Sequence, residues 1–149
     1  MCNRKYSACY KLALVRESKP EYQIKSSDGV YDVVKKIIPI LWDSPVEVFG
    51  FFGLDNANNI ILHDFSHTGS VNESRVYIAN IAKKLLLSNC SQVILIHNHP
   101  SGNLKASDSD IDITNKIIKA LNYFEIKVLD HLICGESDFL SFKEMGYIE

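Results

Sequence analysis

An apolar run that ends in two histidines constrains this chain more than any other feature. Residues 91–97, SQVILIH, form a short, continuous apolar stretch of the kind found in buried strands. His97 closes the run and His99 follows two residues later. Because side chains two residues apart in a strand point to the same face, the two imidazole rings can lie side by side. Open α/β sheets commonly bind ligands at the ends of such strands. The sequence therefore predicts a buried strand with a binding site at its end.

The remainder of the chain alternates between strand and helix patterns. The predicted strands cover residues 10–15, 46–55, 60–67, 91–97, 126–134 and 138–142. The predicted helices cover residues 26–42, 73–89 and 107–124. Pro39 should end or kink the first of these helices. The turn residues 56–59 join two strands into a hairpin, which interrupts the alternation of strand and helix. The pattern predicts an α/β fold with a mixed central sheet flanked by helices.

Length and charge limit the classes of protein to which this chain can belong. A chain of 149 residues is expected to form a single domain over residues 1–149, with a loose terminus at 1–9. The net charge of -2, without a long run of one sign, argues against a broad non-specific surface for nucleic acid. The net charge does not exclude a local basic groove, and the sequence does not predict the oligomeric state. No signal peptide and no membrane-spanning run is predicted.

The cysteines indicate a reducing compartment. The four cysteines are Cys2, Cys9, Cys90 and Cys134, and they form no Cys-x-x-Cys pair. This spacing argues against a structural zinc knuckle. Reduced thiols are typical of a bacterial-type cytoplasm, so a cytoplasmic location is expected. Cys90 and Cys134 are predicted to be small buried apolar groups.

Ser107 and Asp110 lie a few residues beyond the two histidines. Two imidazoles and one carboxylate that leave an open position make a catalytic zinc site. Asp110 can supply the carboxylate from the start of the third predicted helix, because the loop 100–106 lets that helix fold back over the strand end. Simpler interpretations exist: Ser-x-x-Asp fits a helix capping box, and Asn98 can belong to a turn. The capping and the functional interpretations are compatible.

This spacing has a counterpart in a known family. His97-x-His99, seven residues, Ser107, two residues and Asp110 together resemble the JAMM motif of MPN/JAB metallopeptidases. The stretches IHNHPSG and LDHLICG more specifically resemble the bacterial RadC family. The similarity begins at about residue 10, continues to the C-terminus and is densest from 47 to 135. It implies a fold similar to that of cytidine deaminases. It also implies a zinc-dependent hydrolase that cleaves an amide or isopeptide bond in a peptide or protein.

The resemblance also implies a glutamate on an earlier strand, and Glu47 in PVEVFGFFGLD matches that position. The residues favour Glu47 independently, because a carboxylate embedded in an apolar strand needs a partner. The alternative is a glutamate at a strand edge in water. In the implied mechanism the zinc ligands are His97, His99 and Asp110, and Glu47 takes the proton of the attacking water. Ser107 donates a hydrogen bond to the developing oxyanion.

The chain departs from the RadC pattern in two places. Full-length RadC proteins usually carry an N-terminal helical region similar to DNA-binding domains, for which these residues leave no room. Residues 77–80, YIAN, differ from the His-Pro-Arg-Glu stretch of many members. The alternative functions are a role in DNA repair or processing and a metal-stabilised MPN scaffold that binds partner proteins. A deaminase is disfavoured, because its His-x-Glu and Pro-Cys-x-x-Cys signature is absent.

Three further histidines are less informative. His131 in LDHLI either contacts one of the metal ligands or is a core histidine whose hydrogen bonds are made elsewhere. His63 and His67 match no ligand position of the family, and we predict that they are surface or loop residues.

Overall fold

The computed structural model describes residues 19–39, 41–68 and 78–149. The helices are α1 (Ser27–Ile37), α2 (Ile78–Leu87) and α3 (Asp108–Asn122). The strands are β1 (Val48–Leu54), β2 (Ile60–Thr68), β3 (Gln92–Asn98), β4 (Lys127–Cys134) and β5 (Phe139–Ser141). Each of these elements was predicted, with bounds that differ by a few residues. The predicted strand 10–15, the predicted loose terminus 1–9 and the first residues of the predicted helix 73–89 lie outside the described residues. The single-domain organisation over 1–149 therefore stays a prediction.

The five described strands form one mixed sheet in the order β2-β1-β3-β4-β5. Strand β1 pairs antiparallel with β2 and with β3, so the predicted hairpin lies at one side of the sheet. Strand β3 pairs parallel with β4, and β4 pairs antiparallel with β5. The α/β fold with a mixed central sheet flanked by helices is thereby confirmed.

Helix α1 begins and ends where its sequence requires. Ser26 is the N-cap, and its hydroxyl accepts a hydrogen bond from the backbone N–H of Gly29. The helix ends at Ile37, two residues before Pro39. A proline disfavours helical backbone at the residue before it, and Ile38 has left the helical region with φ of -134°. Pro39 thus ends the helix several residues earlier than the predicted bound at 42.

The two faces of the sheet pack against different helices. In β3, Val93 and Leu95 belong to the hydrophobic core on the side of α2 and α3. Ile94 and Ile96 alternate with them and belong to the core on the side of α1. All four side chains are buried, as expected of a strand covered on both faces. The alternation continues to the end of β3 and decides which face each residue of the site occupies.

The described residues also bear on the cysteines and on membranes. Cys90 and Cys134 are free thiols buried in the two cores, as predicted. Burial raises the pKa of both thiols to about 12, so both stay protonated at neutral pH. Within residues 19–39, 41–68 and 78–149, every helix is too short or too polar to cross a bilayer.

Candidate metal centre

Strand β3 delivers His97 and Asn98 to opposite faces of the sheet. His97 follows Val93 and Leu95 in the alternation and faces α3, whereas Asn98 follows Ile94 and Ile96 and faces α1. Both side chains are fully buried. His97 pairs with Phe49 at the last rung between β3 and β1, so it lies where the sheet ladder ends.

The loop after β3 holds the ring of His99. The backbone N–H of Gly102 donates a hydrogen bond of 2.8 Å to the carbonyl of His99, and this bond closes a tight turn. Gly102 has a φ of +73°, a left-handed conformation that a side chain would disfavour. The turn brings the carbonyl of Asn103 to 2.6 Å from Nδ1 of His99. A carbonyl only accepts hydrogen bonds, so Nδ1 of His99 carries a proton and Nε2 is left as the ligand atom.

Helix α3 supplies Asp110 from its first turn. Ser107 is the N-cap, and its hydroxyl accepts a hydrogen bond from the backbone N–H of Asp110. In return Oδ2 of Asp110 accepts bonds of 2.7 Å from both the backbone N–H and the hydroxyl of Ser107. This reciprocal capping box confirms the structural interpretation of the Ser-x-x-Asp spacing. It also fixes the carboxylate of Asp110, whose other oxygen faces His97.

The polar atoms of these three residues converge on one point. The Nε2 atoms of His97 and His99 lie 3.0 Å apart. Oδ1 of Asp110 lies 3.2 Å from Nε2 of His97, and Oδ2 lies 3.3 Å from Nε2 of His99. A tetrahedral zinc ion with ligand bonds near 2.0–2.1 Å would separate its ligand atoms by roughly 3.3 Å. Nitrogen and oxygen atoms this close need a proton or a metal cation between them. The donor set therefore fits a divalent cation.

Glu47 adds a second carboxylate at a greater distance. It immediately precedes β1 rather than lying inside it, and its side chain is 13% exposed. Its Oε1 lies 3.8 Å from Nε2 of His97. Glu47, His97, His99 and Asp110 together form a cluster whose ligand atoms all lie within 4.8 Å of one another. Glu47 thus borders the position that a cation would occupy.

Asn98 fixes the backbone on both sides of Glu47. Its Oδ1 accepts a hydrogen bond from the backbone N–H of Val48, and its Nδ2 donates a long bond of 3.5 Å to the carbonyl of Val46. The sequence left open whether Asn98 belongs to a turn, and the structure shows it as the last residue of β3. It ties the end of this strand to the segment that carries Glu47.

His131 lies behind His97 in the core. Its Nε2 atom is 2.8 Å from Nδ1 of His97, and its Nδ1 atom is 2.6 Å from the hydroxyl of Thr114. The ring is fully buried between the rings of Phe49 and Phe142. His131 is therefore a buried core residue that also contacts the cluster. Thr114 was not among the residues predicted for the site.

Burial and hydrogen bonds shift the ionisation of these groups in different directions. Burial alone would raise the pKa of Asp110, but its contacts with His97, His99 and Ser107 lower this pKa far below its ordinary range. The neighbouring carboxylate of Asp110 raises the pKa of His99, although burial opposes this effect. Burial and the neighbouring His97 hold the pKa of His131 well below its ordinary value. Asp110 is thus ionised and His131 neutral at neutral pH.

His63 and His67 were predicted to lie away from the site. His63 is an exposed residue of β2 that pairs with Phe52, as the prediction of a surface position requires. His67 also belongs to β2, but its side chain lies outside what the structure describes. All five residues predicted for the site, Glu47, His97, His99, Ser107 and Asp110, lie together at the carboxyl end of β3. Their roles in binding or catalysis stay predictions.

The fold and the cluster define a class of protein: an α/β domain with a possible metal-binding site at the end of its central sheet. A family model described as "RadC-like JAB domain" matches residues 24–147. This chain therefore belongs to the RadC-like JAB domain family.

Curated relatives agree with this assignment. A UPF0758 protein of Psychromonas ingrahamii is 42% identical over 113 residues, which is 75% of this chain and 50% of that protein. A UPF0758 protein of Ralstonia nicotianae is 40% identical over 134 residues, 90% of this chain and 58% of that protein. One of Pseudomonas fluorescens is 33% identical over 138 residues, 93% of this chain and 60% of that protein. The chain thus spans between half and three fifths of these relatives.

Proposed function

We propose that this chain is a zinc-dependent hydrolase that cleaves an amide or isopeptide bond in a peptide or protein. The observation that supports the proposal is the convergence of two imidazole nitrogens and a carboxylate within 3.3 Å of one another. Two imidazoles, one carboxylate and an open position are the ligand pattern of catalytic zinc. Imidazole nitrogen also binds zinc in preference to magnesium or calcium.

His97, His99 and Asp110 would hold the ion, each through one atom. The capping box keeps the Asp110 carboxylate in place, and the Asn103 carbonyl keeps the His99 ring in place. A zinc ion held there would lower the pKa of a water molecule to about 7 and would polarise a substrate carbonyl. Strand β3, the loop after it and helix α3 carry these three residues and hold their ligand atoms in place.

Glu47 would move the proton. Its Oε1 takes a proton from the attacking water as the water oxygen bonds to the carbonyl carbon of the substrate. The same oxygen then gives the proton to the leaving nitrogen as the carbon–nitrogen bond breaks, so the products are an acid and an amine. The position of Oε1, 3.8 Å from Nε2 of His97, supports this role.

Ser107 would stabilise the negative charge on the carbonyl oxygen. Its hydroxyl donates to Oδ2 of Asp110 in the substrate-free chain. To donate to a developing oxyanion, the hydroxyl must rotate away from Asp110. The backbone N–H of Ser107 also donates to Oδ2, so the carboxylate keeps one bond from Ser107 during this rotation.

Metal analysis of purified protein tests the proposal. The wild-type chain should hold one zinc ion per chain after reconstitution at neutral pH, and His97→Ala should hold none. His63→Ala is the matched control, because His63 is an exposed histidine outside the cluster. Wild-type protein without stoichiometric metal would contradict the proposal. Loss of metal in His63→Ala as well would show that the assay does not report on the cluster.

A panel of isopeptide-linked and short peptide reporters tests the reaction itself. Turnover should require zinc and should disappear with a chelator. Zinc binding without turnover on any reporter would support a metal-stabilised scaffold instead of a hydrolase.

A further inference from the structure

A line of hydrogen bonds runs from helix α3 through strand β4 to His97. The hydroxyl of Thr114 lies 2.6 Å from the backbone carbonyl of Asp110 and 2.6 Å from Nδ1 of His131. Nε2 of His131 lies 2.8 Å from Nδ1 of His97. Thr114, His131 and His97 are all buried. The line starts at the backbone of Asp110 and ends at a side chain that faces the carboxylate of Asp110, so it closes on itself.

The direction of each hydrogen bond in this line follows from which atoms can donate and which can only accept. The carbonyl of Asp110 can only accept, so the single hydroxyl proton of Thr114 points to it. The oxygen of Thr114 must then accept from Nδ1 of His131. A neutral imidazole carries one proton, so Nε2 of His131 accepts from Nδ1 of His97. Burial at 0% exposure disfavours the charged form of His131.

We propose that Thr114 and His131 are positioning residues that fix the tautomer of His97. They place the ring proton of His97 on Nδ1 and so leave the lone pair on Nε2, the atom that lies 3.0–3.3 Å from His99 and Asp110. With the opposite direction of bonds, Nε2 of His97 would carry the proton and could not bind a cation. The inference rests on the proposed metal site, and it assigns to two further residues the preparation of one ligand.

The surroundings explain why a histidine is required at position 131. The ring stands edge-on to Phe49 at 5.7 Å and packs against Phe142 at 4.6 Å, so its orientation is fixed by apolar contacts. An apolar residue would fill this space but would leave Nδ1 of His97 without a partner in the core. A neutral imidazole at this position can accept a hydrogen bond from His97 and donate one to Thr114.

Nitrogen NMR of the histidine rings tests the direction of the line. In the metal-free wild-type chain at neutral pH, a long-range 1H–15N correlation spectrum should show His131 protonated at Nδ1 and not at Nε2. A proton on Nε2 of His131, alone or together with one on Nδ1, would overturn the inference. The measurement needs no bound metal, so its outcome is independent of whether the proposed zinc site is correct.

Zinc affinity of Thr114 variants tests the consequence. Thr114→Val keeps the shape of the side chain and removes the hydroxyl, so zinc affinity in a chelator competition should fall roughly 10- to 100-fold. Thr114→Ser keeps the hydroxyl and should restore most of the affinity. Ile117→Val is the control for a general loss of packing, because Ile117 is buried on the same helix. It should leave zinc affinity unchanged.

The outcomes separate this inference from the proposed function. Wild-type protein that binds no zinc contradicts the metal site, whereas the tautomer of His131 can still be measured. Wild-type affinity in Thr114→Val, or an equal loss in Ile117→Val, overturns the positioning role and leaves the metal site intact.

Discussion

Oδ1 of Asn98 accepts a hydrogen bond of 2.7 Å from the backbone N–H of Val48, fifty residues earlier in the chain. This hydrogen bond lies next to the end of the ladder between β1 and β3, whose last paired residues are Phe49 and His97. The side chain of Asn98 therefore extends the sheet by one connection. That connection reaches the residue next to Glu47, so it links the histidine strand to the proposed proton acceptor.

Replacement of Asn98 by alanine should loosen this link. Asn98→Ala leaves the partly buried N–H of Val48 without its acceptor, which typically costs about 1–3 kcal/mol of unfolding free energy. Zinc affinity should change less than hydrolysis, because Asn98 supports Glu47 and not the three proposed ligands. Asn115→Ala, at an exposed position of α3, should stay within about 0.5 kcal/mol of wild type. Denaturant unfolding and chelator competition measure the two effects. Equal losses of zinc affinity and turnover in Asn98→Ala would contradict a specific effect on Glu47.

The sequence predicts those parts of the site that lie close together along the chain. His97, His99 and Asp110 fall within 14 residues, and strand alternation and helix capping are enough to bring them together. The spacing of apolar residues likewise predicts each described strand and helix. Glu47 was indicated by its position in an apolar segment, since a buried carboxylate needs a partner, but its place beside the histidines was implied only by the family resemblance.

The contacts that the sequence did not predict are those that depend on register. Thr114 and His131 meet across 17 residues, and Asn98 meets Val48 across 50 residues. Whether such pairs touch depends on which residues lie opposite each other in the sheet and on how far α3 lies above it. A polar residue in an otherwise apolar helix face was the one available signal for Thr114, since buried hydroxyls need partners.

Loss of the Ser107 hydroxyl should separate its structural role from its proposed catalytic role. Ser107→Ala removes the cap of α3 and should cost about 1 kcal/mol of stability. It also removes one hydrogen bond to the carboxylate of Asp110. Ser107→Thr keeps a hydroxyl and should recover most of the stability. If the hydroxyl also stabilises the oxyanion, turnover in Ser107→Ala should fall by roughly 100- to 1,000-fold. Turnover equal to wild type, in a variant with the expected loss of stability, would restrict Ser107 to capping.

The two buried thiols should make the chain less stable in alkali. Their pKa values are raised by burial from 9.0 to about 12, so the folded chain keeps these protons at a pH where the unfolded chain has lost them. Their contribution to stability is therefore fully present below pH 9 and is lost as the pH rises toward 12. At pH 10 each thiol should reduce the unfolding free energy by about 1.4 kcal/mol relative to pH 7.

Denaturant unfolding at several pH values measures this loss. The chain with Cys90→Ala and Cys134→Ala provides the comparison, because the remaining titratable groups are the same in both proteins. It should be less stable than wild type at pH 7, where it lacks two buried side chains, and should lose less stability between pH 9 and pH 10. Parallel stability curves for the two proteins would show that the buried thiols ionise near their ordinary pKa.

The last prediction concerns Glu47, because it separates a hydrolase from a scaffold. Glu47→Gln keeps the size of the side chain and a hydrogen-bonding end, but it cannot accept a proton. Oε1 of Glu47 lies 3.8 Å from Nε2 of His97, farther than the 3.0–3.3 Å between the proposed ligand atoms. We therefore expect the variant to fold and to bind zinc as wild type does. Turnover should fall by roughly 100- to 10,000-fold, the usual contribution of a general base.

Zinc content and turnover of Glu47→Gln must be measured together, since each alone leaves two roles open. Loss of both would make Glu47 a metal ligand, which the shared cluster of four residues permits geometrically. Full turnover would remove it from the mechanism. Glu136→Gln, at an exposed position after β4, controls for the loss of one negative charge and should match wild type in both measurements. If Glu47 is the proton acceptor, Glu47→Gln should keep its zinc and lose turnover, and Glu136→Gln should keep both. The glutamine has the shape of the glutamate but lacks the negative charge that accepts a proton.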